Sequence, residues 1–154
     1  RERIVPGGEN YPIDDDSLLH EQQRLAAENQ LDLSAIQAIW LLCGSGTQQA
    51  LAETRDENCE TLVGTDFPLS FVRRLIEREW VSTLDDLLER RLMLLFHPDL
   101  SVECLQNLAE CLVSAGRIEH DAVDNAVAAS VKRLGEIFGK QVALRTRQFA
   151  TKDG

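Results

Sequence analysis

Apolar residues recur every three or four positions along most of this 154-residue chain, and this spacing is the strongest constraint on its fold. It places apolar side chains on one face of an α-helix, whereas a half-buried strand would alternate at every second position. Glycines, prolines and capping residues separate the apolar segments, as helix ends require. The spacing therefore predicts an all-α protein, a single compact bundle of six to seven helices joined by short loops.

The predicted helices cover about residues 14–29, 33–43, 47–53, 68–80, 82–96, 101–115 and 119–138, with a loop at 54–66 that includes an extended piece at 61–63. Trp80 is expected on the apolar face of the fourth helix. Ser82, three residues before Asp85, is expected to cap the fifth. Leucines line one face of this fifth helix, namely Leu84, Leu87, Leu88, Leu92 and Leu95. Gly116 and Gly139 are expected to close the last two helices.

The two ends of the chain differ from its centre. Residues 1–13 contain two prolines, two glycines and no apolar period, which is typical of a linker. The chain starts at Arg1 without an initiator methionine, so we expect a preceding segment. Residues 14–139 form the predicted helical domain. Residues 140–154 hold the only basic cluster and are expected to be a flexible tail.

The charge balance excludes several classes of partner. The chain carries 16 basic and 26 acidic residues, a net charge of −10. Such a surface repels the phosphate backbone of nucleic acids and anionic lipids. No apolar stretch approaches the roughly 20 residues of a membrane-spanning helix. Nucleic-acid binding and a transmembrane role are therefore not expected.

Cysteines and histidines show no metal-site spacing. There is no C-x-x-C pair among Cys43, Cys59, Cys104 and Cys111, and the three histidines are scattered. Without a secretory signal, reduced cysteines in a cytoplasmic protein are favoured over disulfides. We predict no metal-binding residue.

Signatures of catalysis are also missing. Gly44, Ser45 and Gly46 supply only the first part of a phosphate-binding glycine motif and follow a helical pattern, so they are interpreted as a helix stop. Neighbouring carboxylates such as Asp85 and Asp86 point about 100 degrees apart on a helix and do not converge on one bond. No catalytic and no cofactor-binding residue is assigned to this chain.

The densest charged group has two interpretations. It consists of Glu77, Glu79, Asp85, Asp86, Glu89, Arg90 and Arg91. The simpler interpretation is a solvated helix face with intrahelical pairs, each worth little. The alternative is that Arg90 or Arg91 docks a partner domain through carboxylate or backbone contacts.

The stretch from Leu75 to Phe96 also carries a resemblance. Its helix with Glu79, a short break and a T-L-x-D-x-L-x-R-R helix are similar to the C-terminal domain of FAD-dependent glycerol-3-phosphate dehydrogenases and alpha-glycerophosphate oxidases. The matching positions of the second helix are Thr83, Leu84, Asp86, Leu88, Arg90 and Arg91. The resemblance extends over about residues 6–139. WLLCGSGTQQALAE from Trp40 is similar to a turn between helices in the family, with Leu42 and Cys43 where an aromatic residue is more usual.

The resemblance implies a parent flavoprotein that oxidises sn-glycerol 3-phosphate to dihydroxyacetone phosphate. Hydride would pass to FAD, and electrons would pass to quinone in dehydrogenases or to oxygen in oxidases. FAD and substrate residues would belong to an N-terminal domain outside this sequence. We expect this non-catalytic fragment to pack on that domain or to aid self-association as a homo-oligomer, in the cytoplasm, with the parent peripheral to the inner membrane if quinone is the acceptor. The alternative is an autonomous acidic helical protein-interaction module.

Overall fold

The computed structural model describes residues 11–54 and 60–144, and the predicted all-α class is confirmed. Within these residues there are six α-helices and no strands: α1 (Asp15–Asn29), α2 (Leu33–Cys43), α3 (Thr47–Ala52), α4 (Leu69–Arg78), α5 (Val102–Ser114) and α6 (Val123–Phe138). A π-helix (Asp86–Arg91) lies between α4 and α5. The helices divide into two compact units, and the division falls within α4 after Arg74.

The first unit contains α1, α2, α3 and the first part of α4. Asp14 caps α1, because its side chain accepts a 2.7 Å hydrogen bond from the backbone N–H of Ser17, as the acidic cluster predicted. The core of this unit consists of buried apolar side chains, among them Leu25, Ile36, Ile39, Leu51 and Phe71. Gly44, at φ 55°, ends α2 and begins a short 3-10 turn, which confirms the helix-stop interpretation of the glycine pair.

The predicted extended piece at 61–63 is present only as a single antiparallel bridge between Thr61 and Pro68. The backbone N–H of Leu69 also donates to the carbonyl of Glu60 at 2.8 Å. A bridge of one residue pair does not make a strand, so this part of the chain is a turn that leads into α4. The preceding residues of the predicted loop, 55–59, lie outside the described residues.

The second unit contains residues 62–65 and the chain from Leu75 onward. Its largest element pair is a helical hairpin in which α5 packs on α6. Ser101 caps α5 by accepting from the N–H of Cys104 at 3.1 Å, and Gly116 and Gly139 take left-handed φ values of 64° and 63° after the two helices, as predicted. Buried leucines fill this core, namely Leu84, Leu87, Leu88, Leu92, Leu94, Leu105, Leu108, Leu112 and Leu134.

A short C-terminal segment, residues 140–143, returns to the start of α5. The Lys140 ammonium donates to the carbonyl of His97. The N–H of Ala143 donates to Leu100, and the N–H of Val102 donates to Ala143 at 2.7 Å. These hydrogen bonds continue the ordered structure beyond position 139, where the sequence placed the start of a flexible tail. The remainder of that tail, 145–154, and most of the predicted linker, 1–10, lie outside the described residues.

Three sequence predictions about α4 to α6 were wrong in detail. The fourth helix ends at Arg78, two residues early, so Trp80 is exposed instead of being part of the apolar face. The fifth helix ends at Arg91 because Met93 adopts a left-handed φ of 54°. Phe138, predicted to face inward, is exposed at the end of α6. For Trp80 and Phe138, an apolar residue near a helix end was assigned to the core by its spacing alone; for the fifth helix, the apolar residues after Arg91 were taken to continue it.

No helix in the described part of the chain is both long and apolar enough to cross a bilayer.

Candidate docking surface

We call residues 83–91, which carry the resemblance, the motif segment. Most of this segment, Asp86–Arg91, is the π-helix. The backbone N–H of Leu92 donates to the carbonyl of Leu87, five residues earlier, at 2.8 Å. This five-residue spacing is that of a π-helix, a rare element that is frequent at functional sites. Leu87 and Leu92 are both buried. The winding thus holds the apolar side chains inside, whereas Arg90 is exposed and the other charged side chains of the segment are half-buried.

Thr83, and not Ser82, caps the start of this helix. The Thr83 hydroxyl accepts a 3.2 Å hydrogen bond from the backbone N–H of Asp86. Ser82 instead directs its hydroxyl at the Asp86 carboxylate, at 3.5 Å. The predicted capping box between Ser82 and Asp85 was therefore displaced by one residue, because Asp85 is engaged elsewhere.

Helix α6 covers the acidic side of the motif segment. The Arg133 guanidinium donates to both carboxylate oxygens of Glu89, at 2.5 and 3.1 Å, and lies 3.7 Å from Asp85. The Ser130 hydroxyl donates to the Asp85 carboxylate at 2.7 Å, and Ser130 itself is buried. Forked pairing of this kind fixes the orientation of both partners. Asp85 and Glu89 are thus structural contacts between the motif segment and α6.

Two carboxylates of the motif segment have lowered pKa values. The hydrogen bond from Arg133 lowers the pKa of Glu89, against the opposing effect of burial. Burial acts to raise the pKa of Asp86, but hydrogen bonds from Thr83 and the Ser82 backbone, with the charge of Arg90, outweigh it and leave that pKa below its ordinary value. Both groups are therefore held as carboxylates that accept hydrogen bonds, not as acids that donate a proton.

The two arginines of the motif have different environments. Arg91 pairs with Glu79 at 2.5 Å and is about one-third exposed. Arg90 pairs with Asp86, four residues earlier, at 3.2 Å, and its side chain is 72% exposed. Arg91 therefore joins the end of α4 to the motif segment, whereas Arg90 presents most of its guanidinium to solvent. Glu77 is exposed. Of these ion pairs only Arg90–Asp86 lies within one helix, as the simpler interpretation predicted, and Arg90 remains accessible for the alternative one.

Sequence reasoning missed three exposed apolar side chains beside the motif segment. Trp80 is 96% exposed, Phe96 is 72% exposed and Met93 is 45% exposed. Helical spacing had assigned Trp80 to the core, and only the backbone turn after Arg78 directs it outward. No local sequence signal marks that turn, since Trp80 adopts a φ of 24° that bulky residues rarely adopt.

The described residues contain no group of three or more His, Cys, Asp or Glu side chains arranged to hold a metal ion. The Cys104 thiol is buried, and burial, followed by the charge of Glu103, raises its pKa to about 12. It is therefore protonated at neutral pH and is a poor nucleophile. Cys59 lies outside the described residues.

Comparisons with protein-family models, with curated proteins and with solved structures yield no significant match for this chain.

Proposed function

We propose that this chain is the non-catalytic, helical C-terminal domain of an FAD-dependent enzyme that oxidises sn-glycerol 3-phosphate to dihydroxyacetone phosphate. In this proposal the domain packs on the N-terminal FAD domain of its parent. The proposal rests on the resemblance of the Thr83–Arg91 sequence, and its chemistry belongs entirely to the domain that holds FAD.

The observation that carries the proposal is the arrangement of the motif residues. The polar positions of the pattern each have a distinct contact: Thr83 caps the helix, Asp86 binds Arg90, and Arg91 binds Glu79. Leu84 and Leu88 are buried. A pattern in which every position has a structural task supports a shared local structure, and the exposed Arg90 supports a docking role for that structure.

Arg90 is the docking residue in this proposal, and Arg91 is a supporting residue. An exposed guanidinium next to its own carboxylate partner is held in position yet offers further N–H donors to a facing carboxylate or carbonyl. Arg91 already forms an ion pair with Glu79 of the same chain. The two neighbouring arginines should therefore respond differently to substitution.

The test uses the full-length parent with matched single variants. Arg90→Ala should weaken docking of the helical domain, seen as faster limited proteolysis between the domains and a separate melting transition. Lys132→Ala is the matched control, because Lys132 is equally exposed and pairs with Glu136 four residues away in α6. Arg91→Ala should instead destabilise the isolated chain. If Arg90→Ala and Lys132→Ala behave alike in the parent, Arg90 is not a docking residue.

The coding sequence upstream of Arg1 tests the identity of the parent. An open reading frame that encodes a strand, a GxGxxG turn and a helix would support a flavin-binding domain in the same protein. A start codon close to Arg1 would contradict the proposal. It would favour the autonomous acidic interaction module, for which the exposed Trp80 and the net charge of −10 are suitable features.

A further inference from the structure

The segment that follows α6, residues 140–143, lies along the start of α5, and we call it the strap. The N–H of Ala143 donates to the carbonyl of Leu100 at 3.3 Å, and the N–H of Val102 donates to the carbonyl of Ala143 at 2.7 Å. These two bonds form a parallel bridge opposite Ser101, the buried N-cap of α5. Val102 is the first residue of α5, and the first N–H groups of a helix have no partner within the helix. The strap therefore supplies the acceptor that this end of α5 lacks.

The strap is also joined to the motif segment. The Lys140 ammonium donates to the carbonyl of His97, and the N–H of His97 donates to the carbonyl of Leu94 at 2.9 Å. Two residues before Leu94, the N–H of Leu92 donates to Leu87 and closes the π-helix. A run of consecutive hydrogen-bonded turns thus leads from the strap to the motif segment.

Little of the strap is buried. Gln141 and Ala143 are exposed and Val142 is half-buried, whereas Leu108 in the middle of α5 is fully buried. Segments with few buried apolar contacts open at a lower free energy than the core to which they are attached. Removal of the strap breaks hydrogen bonds at the surface and exposes none of the leucines between α5 and α6. Its contacts can therefore be lost while the hairpin stays folded.

We propose that the strap opens as a local unit, and that its opening loosens the motif segment. In the closed state it holds the turn between His97 and Val102 at both ends. In the open state the His97 carbonyl and the Val102 N–H are solvated, and the turns that lead back to the π-helix lose their anchor. As regulation of the docking surface around Arg90 this inference rests on the proposed function, whereas the opening itself is a property of the chain alone.

The first test is amide hydrogen exchange of the chain, followed residue by residue by NMR. The amides of Val102 and Ala143 should exchange at least about tenfold faster than that of Leu108, but more slowly than in an unstructured peptide. Exchange at the rate of Leu108 would mean that the strap opens only when the hairpin unfolds. Exchange at the rate of an unstructured peptide would mean that the strap is not closed. Either result overturns the inference.

The second test removes the bond between the strap and the turn before α5. Lys140→Met keeps the apolar stem and removes the ammonium, so the exchange of the His97 and Leu92 amides should rise about fivefold, as for the loss of one hydrogen bond. The exchange of Leu108 should not change. Lys132→Met is the matched control, because Lys132 is an exposed lysine of α6 that pairs only within its own helix at 3.9 Å. Unchanged exchange at His97 and Leu92, or an equal rise at Leu108, would overturn the coupling.

A second variant reaches the strap from its other end. Ala143→Pro removes the N–H that donates to Leu100 and leaves Lys140 in place. If the strap is one unit, the exchange of both Val102 and His97 should rise. A rise at Val102 alone would show that the two attachments open independently and would contradict a single strap.

The full-length parent separates this inference from the proposed function. Lys140→Met should speed proteolysis between the domains, although less than Arg90→Ala does. If Arg90→Ala speeds it and Lys140→Met does not, the strap does not regulate docking and the proposed function stands. If neither variant speeds it while the exchange results hold, the proposed docking role fails and the local opening of the strap stands.

Discussion

The α5–α6 hairpin and the irregular segment, residues 79–97, belong to the same unit but differ in the regularity of their backbone and in the burial of their apolar side chains. The hairpin has a serine cap, glycine ends and a buried leucine core. The irregular segment has a π-helix, two large residues at positive φ and three exposed apolar side chains. Burial and capping explain each feature of the hairpin but do not explain the positive φ values and the exposed apolar side chains of the irregular segment. The difference teaches that the hairpin is the scaffold and the irregular segment the candidate for binding.

The largest expected loss of stability comes from removing a buried side chain of the hairpin. Leu108 is fully buried in α5, so Leu108→Ala leaves a cavity and should lower the free energy of unfolding by about 3 kcal/mol. Phe96→Ala, on the exposed face, should change it by less than about 0.5 kcal/mol. Urea unfolding followed by circular dichroism measures both. Equal losses would contradict the division into scaffold and binding surface.

Removing the cap of α5 should lower the stability more than removing the cap of the motif segment. Ser101 is buried and caps α5, so Ser101→Ala should cost about 1 kcal/mol. Thr83 caps the motif segment from an exposed position, where water can replace the hydroxyl, and Thr83→Ala should cost about half as much. Thermal unfolding of the two variants gives the comparison. A larger loss for Thr83→Ala would show that the π-helix depends on its cap more than α5 does.

The ion pair between Glu89 of the irregular segment and Arg133 of the hairpin should contribute to the pH dependence of stability. The pKa of Glu89 in the folded chain is lowered below its ordinary value of 4.5 by Arg133. Its contribution is therefore fully present above pH 4.5 and is lost as the pH falls through the lowered pKa. Glu89→Gln should lower stability at neutral pH by less than about 1 kcal/mol. Urea unfolding between pH 7 and pH 3 should show a shallower acid decline for the variant, and an identical slope would exclude Glu89 as a contributor.

The smallest expected effect is a slight gain in stability, for Trp80→Asn. Trp80→Asn removes a bulky residue from a positive φ, a conformation that asparagine tolerates. The variant should be as stable as the wild type or about 0.5 kcal/mol more stable. Differential scanning calorimetry at a concentration where the chain is monomeric measures this. A clear loss of stability would mean that Trp80 packs within its own chain and would weaken the case for a binding surface.

The sequence predicted those features of the fold that depend on nearby residues. Asp14 and Gly116 mark helix ends because a cap or a left-handed turn is determined by a few adjacent residues. The spacing of apolar residues correctly located α5 and α6. Local chemistry of this kind can be read without knowledge of the tertiary structure.

The candidate site was less predictable, because its features depend on residues far apart in the chain. Arg133 pairs with Glu89 across 44 residues, and no spacing rule links them. The exposure of Trp80 depends on a backbone turn that its own residue type disfavours. Periodicity placed Trp80 on the apolar face because, in a helix continued by two residues, it would follow the buried Ile76 by four positions. The sequence thus identified the charged motif and missed the apolar residues beside it.

The return of residues 140–143 to the start of α5 has a consequence for where this domain can be cut. Without Ala143, the N–H of Val102 would lose its acceptor, and without Lys140 the turn before α5 would lose a further bond. A truncation at Gly139, which the end of α6 suggests, would therefore loosen the start of α5. A boundary drawn after Leu144 retains the hydrogen bonds that close it.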